Sequence, residues 1–185
     1  MKFIASGLAA ATLASAASAD ITITLVNQTF AGASFNQIMN YAGGQEAVGT
    51  LTALSINMTL NASAGFAYAD DITIYVDPLP LSTGGRLQVG GFSNFQAAQR
   101  LSWLNGGSSA PGTTVTGTVN LTTALSFIGD ETVDGVIWVG NGYAGAGSSG
   151  TWSGTITLIG IDEVPAPGAI ALLGVAGLSA RRRRR

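Results

Sequence analysis

Acidic residues carry most of the chemistry that this sequence can offer. The 185 residues include no histidine and no cysteine, and the only lysine is Lys2, so the usual general bases and nucleophiles are missing. Paired carboxylates can serve a glycosidase. Asp71 and Asp77 share one face of a predicted strand but lie about 20 Å apart at roughly 3.3 Å per residue, and Asp70 points to the opposite face. We therefore predict no enzyme and assign these acids to strand ends and turns.

A compact acidic loop is the candidate for a metal site. Asp130, Glu131 and Asp134 lie between Gly129 and Gly135. Calcium takes about six to eight oxygen ligands from carboxylates and backbone carbonyls, so this loop is a calcium hypothesis. The spacing differs from that of an EF-hand, and a solvated acidic loop is the alternative interpretation. The sequence predicts no other cofactor.

Aromatic side chains offer a third kind of chemistry, because exposed rings can stack on sugars. Tyr75 is predicted to point outward from its strand, Trp103 lies beside a glycine-rich loop, and Tyr143 lies within another. Trp138 and Trp152 are predicted to lie in the core. For each of the three candidate rings, packing in the core is the alternative interpretation.

The elements that must position these residues are predicted to be strands. Apolar residues alternate with Thr, Ser and Asn, which is typical of strands with one buried face, and glycine pairs separate the alternating runs. Residues 136–139 are apolar on both faces, which predicts a central strand, and residues 94–100 are the one predicted short helix. The pattern predicts an all-β fold, an antiparallel β-sandwich, with a jelly roll as one form of it. The predicted strands are 21–26, 50–62, 71–77, 86–89, 113–122, 136–139 and 151–161.

The N-terminus has the pattern of a secretory signal peptide. Lys2 precedes the apolar run 3–14, and the small residues Ala17, Ser18 and Ala19 follow. Positive charge, apolar run and small-residue site in this order are typical of an export signal. The sequence predicts cleavage between Ala19 and Asp20.

The C-terminus combines a short proline motif, an apolar run over 169–180 and a basic cluster. Apolar segments followed by arginines insert into membranes with the arginines on the cytoplasmic side. The motif residues are Val164, Pro165, Ala166, Pro167 and Gly168, and the cluster is Arg181, Arg182, Arg183, Arg184 and Arg185. This tail resembles the PEP-CTERM sorting domains, with LLGVAGL at 172–178, and departs from their usual pattern at Ala166, where they have Glu. The resemblance covers the tail alone. It implies processing by an exosortase-like enzyme in Gram-negative bacteria that make exopolysaccharide.

The two signals delimit the domains as 1–19, 20–163 and 164–185. Residues 20–163 hold two arginines, Arg86 and Arg100, against all ten acidic residues, a formal net charge of −8. Nucleic acid is excluded as a partner because phosphate contacts require clustered Lys and Arg, and acidic polysaccharides are disfavoured as well. The expected function is that of an exported, non-catalytic protein of the cell surface or extracellular matrix. The alternatives are a carbohydrate-binding module acting on exopolysaccharide and a plain membrane protein anchored by its C-terminus.

Overall fold

The computed structural model describes residues 20–38, 45–77, 84–93 and 97–165. The predicted signal peptide and the tail from Ala166 onward lie outside the described residues. In the described part of the chain, one short helix, α1 (Glu131–Asp134), and one 3-10 turn (Ala69–Asp71) accompany the strands. The described strands are β1 (Ile21–Ala31), β2 (Phe35–Gln37), β3 (Gln45–Ala64), β4 (Ile72–Asp77), β5 (Gly85–Val89), β6 (Ala97–Leu101), β7 (Thr114–Ile128), β8 (Val136–Asn141) and β9 (Ser149–Pro165).

The strands form two packed sheets, which confirms the all-β sandwich. The four-stranded sheet has the order β1-β9-β3-β7 and the five-stranded sheet the order β2-β8-β4-β5-β6. Four antiparallel strand pairs lie one inside the next, as in the two arms of a long hairpin. The pairs are β1–β9, β2–β8, β3–β7 and β4–β5. A long hairpin that rolls up in this way gives the strand order of a jelly roll. The exception to the antiparallel pattern is β6, which pairs with β5 in parallel.

The core lies between the sheets and holds the side chains that alternation predicts. Trp152 is fully buried, and its Nε1 donates a hydrogen bond to the Ala69 carbonyl oxygen at 3.1 Å. The central position predicted for residues 136–139 is confirmed, because β8 lies between β2 and β4. The predicted core residues that are buried are Leu54, Ile56, Met58, Leu60, Ile72, Ile74, Val76, Val115, Val119, Ile156 and Leu158, and those partly buried against them are Ile21, Ile23, Leu25 and Leu121.

Strand β4 corrects the prediction for Tyr75. Alternation places Tyr75 on the outer face, but its side chain is fully buried, as is that of Thr73. The Tyr75 ring contacts the Phe35 ring of β2 edge-on, with ring centroids 6.4 Å apart. Alternation identifies the two faces of a strand but not whether further chain covers the second face. Tyr75 is therefore a packing residue and is not available to a sugar.

The helix predicted over 94–100 is wrong for residues 97–100, the part that the structure describes, because residues 97–101 form β6. Side-chain amides next to the sheet edge explain the extended conformation. The Gln99 amide bonds both backbone groups of Thr123, at 2.7 and 2.9 Å, and the Asn105 amide bonds both backbone groups of Thr116, at 3.0 and 2.8 Å. Backbone groups on an edge strand otherwise lack partners in the protein. These amides close the side of the sandwich formed by β6 and β7.

Strand direction gives the sandwich two distinct ends. Strand β9 runs from Ser149 to Pro165, a span of about 55 Å at roughly 3.3 Å per residue. We call the end near Pro165 the tail end and the end near Ser149 the distal end. Strand β9 continues two residues past position 163, since Val164 and Pro165 pair with Glu46 and Gln45 of β3. Among the described residues, none of the helices combines the length and apolar character needed to cross a bilayer.

Candidate functional site

A cleft of about 390 Å³ opens at the distal end. Ligand pockets commonly have volumes of roughly 300–1,000 Å³ and combine aromatic side chains with a few polar groups. Three segments line this cleft, and all of them lie where strands of the five-stranded sheet begin or end. The lining residues are Tyr68, Asp70 and Asp71 before β4, Gly90, Gly91 and Phe92 after β5, and Arg100, Ser102 and Trp103 at the end of β6.

The Asp71 carboxylate joins two of these segments. Oδ2 accepts a hydrogen bond from the Tyr68 N–H at 2.7 Å, and Oδ1 accepts one from the Phe92 N–H at 3.1 Å. Asp71 is only 3% exposed. The turn role predicted for Asp71 is thereby confirmed, and this side chain ties the backbone of Tyr68 to that of Phe92.

Burial raises the pKa of both carboxyl groups in the cleft. Burial, reinforced by the Asp70 charge and opposed by the two backbone N–H donors, raises the pKa of Asp71 from its ordinary value of 3.8 to about 6. Burial also raises the pKa of Asp70. The Asp70 Oδ1 atom is shielded from solvent and has no hydrogen-bond partner among the described residues. The cleft therefore contains a carboxyl group with unused hydrogen-bonding capacity.

The raised pKa of Asp71 predicts that stability falls as the pH rises from about 4 to about 6. The native state binds the proton more tightly than the unfolded chain, so this stabilising effect is complete below about pH 4 and is lost above about pH 6. A shift of about two pKa units corresponds to on the order of 2–3 kcal/mol. The asparagine of Asp71→Asn does not titrate at this position. Its amide NH2 would face one of the two backbone N–H groups that donate to Asp71, so a donor would meet a donor there. We expect Asp71→Asn to be less stable than the wild type at pH 4 and the gap to narrow by pH 7.

Urea unfolding of the wild-type chain and of Asp71→Asn at pH 4 and pH 7 measures this gap. A gap that stays constant, or that widens toward neutral pH, contradicts the prediction. Because Asp70 is present in both proteins, the comparison isolates the contribution of Asp71.

Trp103 forms the buried base of the cleft, so the packing interpretation of this ring holds and the sugar-platform hypothesis does not. It is only 6% exposed, and its Nε1 donates a hydrogen bond to the Ile72 carbonyl oxygen at 2.7 Å. Gly90 follows β5 with φ +83°, and a Cβ there would collide with Trp103 Nε1 and with the Ile72 carbonyl oxygen. Only glycine has both the conformation and the small volume that this approach requires.

Two exposed rings that the sequence reasoning missed flank the cleft. Phe92 is 75% exposed and Tyr68 is 41% exposed. Tyr143, the remaining predicted platform, is half-buried and contacts Phe92 edge-on with ring centroids 6.1 Å apart. The loop of Tyr143 is tied to the Phe92 loop, because the Ser93 N–H donates to the Gly142 carbonyl at 2.8 Å. The sequence signal that could have found Phe92 is its place directly after Gly90-Gly91, where a tight turn exposes the next side chain.

Arg100 supplies the positive charge of the cleft. Its side chain is exposed, and its Nη2 donates a hydrogen bond to the Phe92 carbonyl oxygen at 2.8 Å. A guanidinium carries five N–H donors in a fixed plane, so this bond orients the group and leaves other donors for a ligand. Donors on Arg100 and acceptors on Asp70 thus line the same cleft as the aromatic rings.

The predicted calcium loop lies at the tail end, far from the cleft. Asp134 is 1% exposed, and its Oδ2 accepts hydrogen bonds from three backbone N–H groups, those of Ile128, Gly129 and Asp130, at 2.8, 2.9 and 3.1 Å. Hydrogen bonds from the Thr132 hydroxyl and N–H lower the pKa of Asp130. Within the described ranges no group of three acidic, histidine or cysteine side chains could hold a metal ion. The Glu131 side chain is not among the side chains that the structure describes, so the calcium hypothesis stays a prediction.

Trp152 lies in the core, as predicted, whereas the core position predicted for Trp138 is wrong, because Trp138 is only half-buried and is not among the core residues. Trp152 is fully buried, and Trp138 is half-buried with its Nε1 donating to the Asp77 carbonyl oxygen at 3.1 Å. Together the fold and the cleft define a jelly-roll β-sandwich with an aromatic and polar cleft at one end. No protein-family model, curated protein or solved structure matched the chain when it was compared with them.

Proposed function

We propose that this protein is an exported, non-catalytic component of the cell surface or extracellular matrix that contacts polysaccharide. The observation that carries the proposal is the outer face of the four-stranded sheet, which we call the hydroxyl face. Its residues carry hydroxyl or amide groups and lie in register, in two rows across all four strands and in a third row across β9, β3 and β7. The rows are Thr22, Thr157, Ser55 and Thr118, then Thr24, Thr155, Asn57 and Thr116, then Ser153, Thr59 and Thr114.

The chemistry of the hydroxyl face suits a neutral, hydrated polymer. Neighbouring strands lie about 4.8 Å apart, so the rows present closely spaced hydroxyl groups. Some of these groups already bond to one another, as Thr22 and Thr157 do with their Oγ1 atoms 3.1 Å apart. None of the residues in the three rows is charged, and the net charge of −8 over residues 20–163 disfavours acidic polymers.

The predicted signals at the two termini support export and sorting. The signal peptide would carry the chain across the inner membrane. The tail, with its resemblance to PEP-CTERM domains, would hold it there for an exosortase-like enzyme. Because the tail leaves the sandwich at Pro165, the distal end would point away from that membrane. Part of the hydroxyl face and the whole cleft would then be presented to the matrix.

Fractionation of the producing cells tests this function. We expect the wild-type chain in the surface or polysaccharide fraction. The combined variant Thr24→Val, Thr116→Val and Thr118→Val removes three exposed hydroxyls while keeping β-branched side chains, and we expect it to shift several-fold toward the soluble medium. The matched control carries Ser at the same three positions, which keeps the hydroxyls, and should fractionate like the wild type.

Two outcomes would contradict the proposed function. Recovery of the full-length chain with its tail intact, and only in the inner membrane, would identify a plain membrane-anchored protein. Equal retention of the Val and Ser variants would show that the hydroxyl face does not contact the matrix. Urea unfolding of both variants checks that neither change acts through loss of the fold.

A further inference from the structure

Packing does not explain why the Phe92 ring is exposed. Burying a phenylalanine side chain stabilises a fold by roughly 1.5–3 kcal/mol, yet 75% of the Phe92 surface faces solvent. Its position is nevertheless fixed. The backbone N–H bonds Asp71 at 3.1 Å, the carbonyl oxygen accepts from Arg100 at 2.8 Å, and the ring contacts Tyr143. A fixed and exposed ring beside a cleft is a preformed surface for a flat apolar ligand face.

The polar groups in the same cleft require a ligand that both donates and accepts hydrogen bonds. Asp70 lines the cleft and contributes a carboxylate acceptor to it, and Arg100 keeps N–H donors beyond the one used by Phe92. Sugar hydroxyls donate and accept equally well. The face of a pyranose ring that carries axial C–H groups supplies the apolar surface for stacking.

The charges of the residues that line the cleft favour neutral sugars over acidic ones. Two carboxyl groups, Asp70 and Asp71, line the cleft against the single guanidinium of Arg100. A uronate would therefore meet net repulsion near neutral pH, whereas a neutral ring would meet none. The volume of about 390 Å³ is at the small end for ligand pockets, which suits a short saccharide segment better than a long polymer.

We propose that the cleft binds a neutral hexopyranose unit, stacked on Phe92 and Tyr68 and hydrogen-bonded to Asp70 and Arg100. The site is separate from the hydroxyl face and lies at the end of the sandwich farthest from Pro165. The inference deepens the proposed function and rests on it for the presence of polysaccharide around the protein. It names a saccharide class and a second, more selective contact.

Binding of neutral oligosaccharides to the purified full-length chain tests the site. The probes are short oligosaccharides of glucose, galactose and mannose, with an oligogalacturonate as the charged comparison, measured by isothermal titration calorimetry. We expect at least one neutral probe to bind and the uronate to bind at least tenfold more weakly. Phe92→Ala should weaken the neutral ligand at least tenfold, and Phe92→Tyr, which keeps the ring, should retain binding.

Phe66 offers a matched control at the same end of the molecule. It is also 75% exposed, but it does not line the cleft, so Phe66→Ala should bind like the wild type. Failure of every neutral probe to bind the wild type would overturn the inference, as would equal affinity of Phe92→Ala and the wild type. If these failures occur while the Val variant of the hydroxyl face still loses matrix retention, the cleft is refuted and the proposed function stands.

Discussion

Asp134→Ala is expected to lower the free energy of unfolding by about 3 kcal/mol or more. The Asp134 Oδ2 atom accepts hydrogen bonds from three successive backbone N–H groups, those of residues 128–130, at 2.8–3.1 Å. Alanine leaves all three part-buried donors without this partner. A fully buried donor that loses its partner costs about 1–3 kcal/mol, so about 1 kcal/mol for each is expected here. The side chain is 1% exposed, so water cannot readily replace it.

The loop around Asp134 also connects the two sheets, which enlarges the expected effect. Arg86 of β5 donates through Nη1 to the Asp134 carbonyl oxygen at 2.5 Å and through Nη2 to the Ser126 carbonyl oxygen at 3.0 Å. Its guanidinium also lies 5.4 Å from the centroid of the Phe127 ring. Loss of the Asp134 carboxylate therefore loosens the segment to which Arg86 attaches.

Urea unfolding measures this loss, with Asp134→Asn as the matched variant. Asparagine keeps one oxygen that can occupy the Oδ2 position, so we expect a smaller loss than with alanine. The measurement is made in millimolar calcium and in chelator. The hydrogen-bonding role predicts equal losses in both, whereas a calcium role predicts a larger loss in calcium. A loss below about 1 kcal/mol for Asp134→Ala would contradict the hydrogen-bonding role.

This loop illustrates what the sequence could predict about the site. Three acidic residues within five positions indicated a cation site, because carboxylates close in sequence normally share a solvent-exposed loop. In the structure Asp134 turns inward, and its carboxylate bonds the backbone of its own loop. A carboxylate that follows a strand and a glycine can satisfy successive N–H groups in this way, and the sequence alone does not distinguish that arrangement from metal ligation.

The fold was more predictable than the site, since its signal is repeated along every strand. Alternation placed Leu54, Ile56 and Met58 in the core correctly, because each strand buries one face. It failed for Tyr75, whose ring is covered by contacts such as that with Phe35 of β2 in the same sheet, and for residues 97–101, where the Gln99 amide bonds the β7 edge. Both failures depend on contacts between segments distant in sequence, which local patterns do not encode.

The cleft was least predictable, because its residues lie at strand ends and in turns without periodicity. Trp103 was singled out beside a glycine-rich loop, yet it proved to be the base of the cleft. Tyr68 and Phe92 carry the exposed surface and gave no periodic signal. What brings these residues together is the jelly-roll connection, which places the start of β4 and the ends of β5 and β6 at one end of the five-stranded sheet.

Gly90→Ala is expected to destabilise the fold by about 3 kcal/mol or more. Gly90 has φ +83°, a conformation that costs an L-residue roughly 1–2 kcal/mol, and an added Cβ would collide with Trp103 Nε1 and the Ile72 carbonyl oxygen. Relief of the collision requires Trp103 to move, which breaks its 2.7 Å hydrogen bond to Ile72. Overpacking of this kind typically costs a further 1–3 kcal/mol, about as much as the backbone strain or more.

Gly112→Ala separates the two causes, because Gly112 has φ +89° and no heavy atom within 4 Å of an added Cβ. It should show the backbone cost alone, about 1–2 kcal/mol, with an unchanged near-ultraviolet circular dichroism spectrum. Gly90→Ala should show the larger loss together with an altered tryptophan signal, since Trp103 must shift. Equal losses of stability for the two variants would contradict close packing between Gly90 and Trp103. An unchanged tryptophan signal in Gly90→Ala would contradict it as well.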